Sequence, residues 1–275
     1  MEIGFVFTNY NNSPFTREAI HSIAQNNRWD DSYVVVVDNN SDQKDIELLK
    51  QIKRDYPRIN LLLNEKNLGY FSGLNVGIKY LRSNNKNINH VIIGNNDLTF
   101  PINFIDSILN NTIQFENYAV ISPNIITLDG VHQNPHVVKN VSKFREIIYD
   151  LYFLNYYFAL IIKKIAAITI NITDRKDETQ FEIAQTIYQG CGACYILGPL
   201  FFKYFESLWA PTFLMGEEFF ISRQLSSENL QIYYEPTIII NHHCHATMSK
   251  IPNKKFWEIS RESHRVYRKY VKIWK

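Results

Sequence analysis

Short apolar runs alternate with segments of helical period over the first 100 residues of the chain. This pattern predicts strands at 3–7, 33–37, 59–63 and 91–93, and helices that begin near Ser13, Asp42 and Leu74. Four consecutive valines in the second strand suit a strand that is buried on both faces. We therefore predict an α/β fold with a Rossmann-like, mostly parallel central sheet flanked by helices.

Beyond residue 100 the regular alternation ends, which predicts a mixed C-terminal half. We expect strands near 119–122, 188–197, 232–234 and 237–240, and one aromatic helix over 147–165 with a stripe at Ile147, Leu151, Leu154, Phe158 and Ile161. We expect one domain over 1–250, whose two functional halves are 1–100 and 101–250. Residues 251–275 are predicted to form a basic amphipathic helix.

Composition narrows the class of protein. The 275 residues are 45% hydrophobic, which suffices for a substantial core. A net charge of +2 gives no global basic field, so we expect no nucleic-acid partner. Three cysteines and an N-terminus without a basic leader favour a chain that stays in the cytoplasm.

Polar residues follow each of the first four predicted strands. In an open α/β sheet, ligands bind beyond the carboxyl ends of the strands. Each position alone also fits an ordinary turn, but four coincident polar ends predict a ligand site. The candidates are Thr8, Asn9, Tyr10, Asp38, Asn40, Asn67, Gly69, Gly73, Asn75, Asn95, Asn96 and Asp97.

Asp38 could accept a hydrogen bond from the N3–H of a uracil or thymine base. The alternative is a helix N-cap, for which Ser41 or Asp42 is better placed. The glycine-containing segment 67–75 joins a strand to a helix, so its backbone N–H groups could approach a diphosphate. It has neither the P-loop nor the dinucleotide-fold glycine spacing, which disfavours ATP and NAD.

Asp97 is a hard oxygen ligand at a strand end, suited to Mg²⁺ or Mn²⁺ shared with phosphate oxygens. The alternative is a helix N-cap before Pro101. Glu217 and Glu218 are adjacent carboxylates beside aromatic residues, where the pKa of one carboxyl group can rise to suit a proton acceptor. Their alternative is favourable negative charge at a helix N-terminus.

Histidines and cysteines cluster late in the chain. His242, His243, Cys244 and His245 are contiguous, so at most alternate members face the same way. A structural zinc site that combines them with Cys191 and Cys194 is conceivable. Small residues on a tightly packed strand explain the cysteines equally well.

In this order the motifs resemble glycosyltransferase family 2, particularly its rhamnosyltransferase-like branch that builds bacterial surface polysaccharides. The matching segments are 6–11, 36–42, 67–75, 95–97 and 213–218, with Pro236 before His242. The likeness spans roughly residues 3 to 247. The resemblance implies a GT-A fold, a nucleotide-diphospho-sugar donor and a divalent cation, Mn²⁺ or Mg²⁺.

The resemblance also implies residue roles. Thr8, Tyr10 and Asp38 would hold the nucleoside, and Asn75 with the glycine-containing loop would lie near the diphosphate. Asp97 would bind the metal, His242 would approach the metal or diphosphate, and Glu218, beside Glu217, would deprotonate the acceptor hydroxyl. Two positions depart from the family pattern: Asn95 replaces the first acidic residue of the metal motif, and Phe220 replaces an acidic residue after the general base.

From the resemblance we expect an inverting hexosyltransferase that uses a dTDP- or UDP-sugar such as dTDP-L-rhamnose. The expected acceptor is a lipid-linked surface polysaccharide, an O-antigen of lipopolysaccharide or a capsule. The aromatic helix and basic tail could rest on the cytoplasmic face of the inner membrane, although a packed helix and a solvated tail are alternatives. Whether the chain forms a homodimer is left open. The rival functions are a sugar-phosphate nucleotidyltransferase and a non-catalytic carbohydrate-binding or assembly protein.

Overall fold

The structure is a computed structural model that describes residues 2–85, 87–168, 177–243 and 253–273. Its strands are β1 Glu2–Asn9, β2 Ser32–Asp38, β3 Asn60–Leu63, β4 Ile88–Asn95, β5 Leu98–Thr99, β6 Val120–Thr127, β7 Gln185–Ile187, β8 Cys194–Leu197 and β9 Ile232–His242. Its helices are α1 Ser13–Ala24, α2 Gln43–Asp55, α3 Tyr70–Asn84, α4 Phe104–Leu109, α5 Thr112–Asn117, α6 Lys143–Leu154, α7 Tyr156–Ile168, α8 Pro199–Tyr204, α9 Glu217–Ser226 and α10 Asn253–Tyr267.

All these strands join one sheet, whose main path runs β3-β2-β1-β4-β8-β6-β9-β5, with β7 also paired to β9. The first four strands are parallel to their neighbours within that group. Strand β8 is antiparallel to both β4 and β6, while β6 and β9 are parallel. The predicted parallel half and mixed half are therefore both confirmed.

The valine run of β2 shows why the first half folds as a layered sheet. Val34 and Val36 pack in one core cluster with α1 and α2, whereas Val35 and Val37 pack in a second cluster with α3. All four side chains are buried. Because successive side chains of a strand point to opposite faces, an all-apolar strand must be covered by helices on both sides.

Three predicted elements differ in the structure. The single helix predicted over 147–165 is two helices, because Asn155 adopts an extended conformation between α6 and α7. The strand predicted over 188–197 is only β8, Cys194–Leu197, because residues 188–193 form a bend and a turn, and β7 ends before them at Ile187. The strands predicted at 232–234 and 237–240 form one strand, β9, whose pairing with β6 shifts register opposite Pro236. Proline has no N–H for the ladder, which explains an irregularity at that point.

Helix α10 packs on α6 through polar contacts. The Arg268 guanidinium lies 2.5 Å from the Asp150 carboxylate and 2.7 Å from that of Glu146. The indole of Trp257 donates to the carbonyl oxygen of Tyr152 at 3.1 Å, and the Ser263 hydroxyl donates to the carbonyl oxygen of Leu214. These contacts bring the start of α10 to the carboxyl edge of the sheet. None of the helices that the structure describes has the length and apolar character needed to cross a membrane.

Candidate active site

A cavity of about 660 Å³ opens at the carboxyl ends of β1 and β4. Its walls come from the loops that follow β1 to β4, the loop before β8, the loop before α9 and the first turns of α10. Eleven of the predicted site residues line it: Thr8, Asn9, Tyr10, Asn67, Gly69, Asn95, Asn96, Asp97, Glu217, Glu218 and His242. Asp38, Asn40, Gly73 and Asn75 do not line it.

A buried polar network lies at the cavity edge formed by the ends of β1, β2 and β4. The amide group of Asn9 donates to the carboxylates of Asp38, at 2.9 Å, and Asp45, at 2.7 Å. The amide oxygen of Asn9 accepts hydrogen bonds from Thr16 at 2.9 Å and from Asn96 at 3.0 Å. Asn9 has no exposed surface and Asn96 is 4% exposed. The network therefore fixes the ends of β1, β2 and β4 relative to α1 and α2.

Asp38 belongs to this network rather than to the cavity wall. It is fully buried, and its carboxylate accepts hydrogen bonds from the backbone N–H and the hydroxyl of Ser41. The N-cap of α2 is Asp42, whose carboxylate accepts from the backbone N–H of Asp45. The neighbouring Asn39 lines the cavity instead, where its amide donates to the carbonyl oxygen of Gly69 at 3.0 Å. Asp38 thus lies beneath the edge where a base contact was predicted.

Sequence reasoning did not single out Asp45, the second carboxylate of the network. Burial acts to raise its pKa, but hydrogen bonds from Ser13, Asn9 and Ser41 together outweigh burial and lower the pKa. Asp45 therefore stays ionised within the network beneath the ends of β1 and β2. The only sequence signal was its position one helical turn after the Asp42 cap, which alone does not distinguish it from a surface residue.

The glycine-containing loop after β3 is held against the loop before α9. Gly69 has a φ of +87°, and a Cβ there would come 2.1 Å from the carbonyl oxygen of Phe213. The next residue, Tyr70, donates its backbone N–H to the same oxygen at 3.0 Å and its hydroxyl to the carbonyl oxygen of Gly192 at 2.9 Å. Only glycine fits this position, and the loop joins the start of α3 to the segment that precedes α9.

The other predicted members of this edge have packing roles. A Cβ on Gly73 would come 2.8 Å from both the Asn39 amide and the Thr8 methyl group, so this glycine allows close approach of α3 to the sheet. Both amide atoms of Asn75 bond to the backbone of Leu208 at 2.8 Å. Asn40 is exposed and occupies a left-handed turn conformation, with a φ of +64°.

Asp97 and His242 face each other in the cavity. The carboxylate oxygen of Asp97 lies 3.2 Å from Nε2 of His242, and both side chains are buried. Strands β5 and β9 bring them together, because Leu98 pairs with His242. The alternative of Asp97 as an N-cap does not hold, since β5 follows it directly and α4 begins only at Phe104.

Gln133 determines which ring nitrogen of His242 carries a proton. Nδ1 of His242 lies 2.6 Å from Oε1 of Gln133, and an amide oxygen can only accept, so Nδ1 carries a proton. The Nε2 lone pair of a neutral imidazole then faces a carboxylate oxygen, which is unfavourable without a cation or a second proton between them. Two adjacent ligands of an octahedral Mg²⁺ or Mn²⁺ ion lie about 3 Å apart. The pair therefore fits two positions of a metal shell.

Among the described residues, no group of three or more His, Cys, Asp or Glu side chains could hold a metal ion. A cation at Asp97 and His242 would accordingly need oxygen ligands from outside this set, such as phosphate and water. For the same reason, the described residues of the proposed zinc site do not by themselves form a zinc-binding group. Cys191 is half-buried and Cys194 is buried in β8, while Cys244 and His245 lie outside the described residues.

Glu217 and Glu218 start α9, after Met215 and Gly216 in left-handed conformations. Glu217 is buried, and its carboxylate accepts from the backbone N–H of Met215 at 2.9 Å. Burial, followed by the charge of Glu218, raises the pKa of Glu217 to about 8. Glu218 is half-buried and accepts from the backbone N–H of Gly192 at 3.3 Å. At neutral pH the buried Glu217 thus retains its proton.

The start of α10 forms a wall that sequence reasoning missed. Lys255, Phe256 and Ile259 line the cavity, as do the apolar residues Phe213 and Leu214. Lys255 is the only Lys or Arg in the described lining, and it has no ion pair or hydrogen bond with another described residue. The spacing of 255, 256 and 259 places them on one helical face. That spacing was the available signal, but the tail was expected either to rest on a membrane or to form a solvated basic face.

Solved structures with similar folds include GalNAc-T7 with UDP, GalNAc and Mn²⁺, with a TM-score of 0.56 at 12% identity over 88% of this chain and 44% of that one. A mannosyltransferase from Pyrobaculum calidifontis, in complex with GDP-Man and Mn²⁺, matches with a TM-score of 0.54 and 13% identity, over 96% of this chain and 62% of that one. S. aureus TarS 1–349 with UDP-GlcNAc matches with a TM-score of 0.54 and 14% identity, over 94% of this chain and 64% of that one. The chain thus spans less than two thirds of each. These likenesses define the GT-A-like fold.

A sequence model of glycosyl transferase family 2 matches residues 5–169, more than half of the chain. The chain therefore belongs to glycosyl transferase family 2. The predicted family is confirmed, and this membership disfavours the nucleotidyltransferase alternative. Assignment to the rhamnosyltransferase-like branch stays a prediction. No curated protein sequence matches the chain.

Proposed function

We propose that this glycosyltransferase transfers a sugar from a nucleotide-diphospho-sugar to an acceptor hydroxyl with inversion at the anomeric carbon. The observation that carries the proposal is the shared cavity of Glu218 and the Asp97–His242 pair. A proton acceptor and a pair of metal-ligating side chains at one cavity match the two needs of glycosyl transfer: activating the nucleophile and stabilising the leaving group.

The polar edge of the cavity supports a nucleotide-sugar donor. Thr8, Tyr10 and Asn39 line this edge, and we assign them to the nucleoside, with Asp38 holding the edge from beneath. We assign Asn67 and the backbone of Gly69, which line the same cavity, to the diphosphate. The similar structures carry UDP, GDP-Man or UDP-GlcNAc, which are bound by those proteins. We propose a dTDP- or UDP-sugar for this chain, with dTDP-L-rhamnose as the first candidate.

Asp97 and His242 are the residues that would hold a divalent cation. When bound, the cation supplies Lewis-acid stabilisation of the departing nucleoside diphosphate. The chain's own contribution is orientation: Gln133 keeps the Nε2 lone pair of His242 directed at the site, and the pairing of β5 with β9 fixes Asp97 opposite it. Asn95 lines the same edge without charge, so much of the coordination falls to phosphate oxygens and water.

The transfer is a single displacement. The acceptor oxygen attacks the anomeric carbon while the Glu218 carboxylate takes the hydroxyl proton, and the bond from the anomeric carbon to the diphosphate oxygen breaks. The electron pair of that bond leaves with the nucleoside diphosphate, and Glu218 ends the step protonated. Glu217, protonated at neutral pH, adds no second negative charge beside Glu218.

The apolar part of the cavity lining indicates which kind of acceptor the enzyme uses. Phe213, Leu214, Phe256 and Ile259 form an apolar side close to Glu218. Such a wall suits the less polar face of a sugar ring or an acceptor with an apolar carrier. We propose the hydroxyl of a growing, lipid-linked surface glycan, an O-antigen or capsule precursor, with the enzyme on the cytoplasmic side.

Thermal stabilisation by a panel of UDP-, dTDP- and GDP-sugars, with and without Mn²⁺, tests the donor site. A saturating donor at about 100 times its Kd adds about 2.7 kcal/mol of stability, or about 5–10 °C in Tm for a chain of this size. We expect this gain to require Mn²⁺ and to be lost in Asp97→Asn, while Asp31→Asn, at an exposed site, keeps it. Equal stabilisation in Asp97→Asn would contradict the metal assignment, and no response to any donor would contradict the function.

A further inference from the structure

The outward side of α7 is apolar. Six of its large apolar side chains are between 40% and 85% exposed: Tyr157, Phe158, Leu160, Ile161, Ile165 and Ile168. We call them the α7 face. Exposed apolar residues of α6, among them Phe144 and Leu151, add to the same helical pair. The stripe predicted for this region therefore does not pack into the core, and a contiguous apolar surface of this kind marks an interaction site.

Helical geometry shows that this exposure is organised. At about 100° per residue, the six side chains fall within an arc of about 160°. Ala159, the one fully buried residue in α7, lies on the opposite side of the helix. Helix α7 thus turns a small residue towards the protein and its large apolar residues outwards, the reverse of an ordinary surface helix.

The charges of α7 indicate what covers this face. Lys163 and Lys164 are exposed, and the helix contains no acidic residue. Lys164 projects within the apolar arc, so a two-fold contact between copies would bury like charges in a shared interface. A lipid surface accommodates both features, because the apolar side chains enter the acyl boundary while the lysines extend to anionic headgroups. At 13 residues, or about 20 Å, the helix can lie on a bilayer but does not span it.

The α7 face is connected to the catalytic cavity through packed helices. Helix α7 packs on α6, and α6 is held to α10 by ion pairs of Arg268 with Glu146 and Asp150. Helix α10 in turn contributes Lys255 and Phe256 to the cavity wall. A surface that holds α7 on a membrane therefore also holds the acceptor side of the cavity at that membrane.

We propose that the α7 face docks on an anionic lipid surface and presents the cavity to an amphiphilic acceptor whose glycan extends from that surface. The docking part stands on the exposed side chains alone, whereas the acceptor part rests on the proposed function. The acceptor class is then a glycan on a lipid carrier, which reaches Glu218 along the apolar wall of Phe213 and Phe256.

Vesicle flotation of the full chain tests the docking. The vesicles are phosphatidylcholine, with or without about 30 mol% phosphatidylglycerol. We expect the wild type to float with anionic vesicles, and Ile161→Asp/Ile165→Asp to bind at least about tenfold less. The matched control is Ile102→Asp/Ile113→Asp, which changes two isoleucines of similar exposure outside the α7 face. Lys163→Glu/Lys164→Glu should lose the preference for anionic vesicles.

Absence of wild-type flotation, or flotation of Ile161→Asp/Ile165→Asp equal to that of the control, would overturn the proposal. Light scattering gives a further contradicting outcome. If the wild type is a dimer that does not bind lipid, and Ile161→Asp/Ile165→Asp converts it to a monomer, a second copy covers the α7 face. Donor turnover in detergent solution, measured in parallel, separates the two proposals. A wild type that floats but never consumes any donor contradicts the proposed function and leaves the docking intact.

Discussion

Glu217→Gln isolates the effect of a buried carboxyl group next to the proposed base. In the folded protein Glu217 keeps its proton up to a pH of about 8, whereas its ordinary pKa is 4.5. Its contribution to stability is therefore complete below pH 4.5 and is lost progressively as the pH rises to about 8. Glutamine has nearly the same shape, can still accept from the Met215 N–H and does not ionise.

The size of the effect follows from the shift in pKa. At about 1.36 kcal/mol per unit, ionising Glu217 in the folded protein costs at most about 5 kcal/mol. We expect about 3 kcal/mol, because the protein relaxes and admits water around a buried charge. Glu217→Gln should then be more stable than the wild type by about 3 kcal/mol at pH 9, or about 5–10 °C in Tm, and nearly equal to it at pH 5.

Thermal and urea unfolding, followed by circular dichroism at pH 5, 7 and 9, measure this difference. The informative quantity is the change in the stability difference with pH, since any effect of the substitution on packing is common to all three conditions. If the stability difference between Glu217→Gln and the wild type is no larger at pH 9 than at pH 5, the pKa of Glu217 is not raised. The neutral role assigned to it beside Glu218 would then be wrong.

Two further substitutions test the polar edge and the α10 wall. Asn96→Ala removes the buried amide that donates to the Thr16 hydroxyl and to the amide oxygen of Asn9, which keeps only its bond from Thr16. Urea denaturation should show a loss of about 2–3 kcal/mol in the free energy of unfolding, against little change for the exposed Asn110→Ala. A loss below about 0.5 kcal/mol would contradict the network. Lys255→Ala should raise the donor KM about tenfold by removing the positive charge that lines the cavity together with Asn67 and Gly69, whereas Lys254→Ala should not. Equal effects of the two lysines would show that only general charge matters.

Where local pattern decides the structure, the sequence was sufficient. The valine run of β2 predicts a doubly covered strand, and the topology rule for α/β sheets brings Thr8, Asn67 and Asp97 to one edge. Eight predicted residues that follow the first four strands meet in one cavity for this reason. The resemblance added Glu218 and His242, which lie far along the chain from that edge, because local pattern cannot place them beside it.

What the sequence did not reveal depends on tertiary contacts. Gln133 orients His242 from 109 residues away, and no local pattern connects the two. Asp38 and Asn75 have the residue types of ligand contacts, yet neighbours that only the fold brings near use their polar atoms instead. The break at Asn155 could not be predicted from helical period, since both flanking segments keep it.

Transfer by Glu218→Gln tests the central claim most directly. Nucleoside diphosphate release in the presence of acceptor is measured for the wild type, Glu218→Gln and Glu217→Gln, with donor binding followed by thermal stabilisation. We expect Glu218→Gln to lose at least about 100-fold in rate while binding donor as the wild type does, and Glu217→Gln to remain active at neutral pH. A Glu218→Gln variant that transfers sugar at a rate close to that of the wild type would contradict the account.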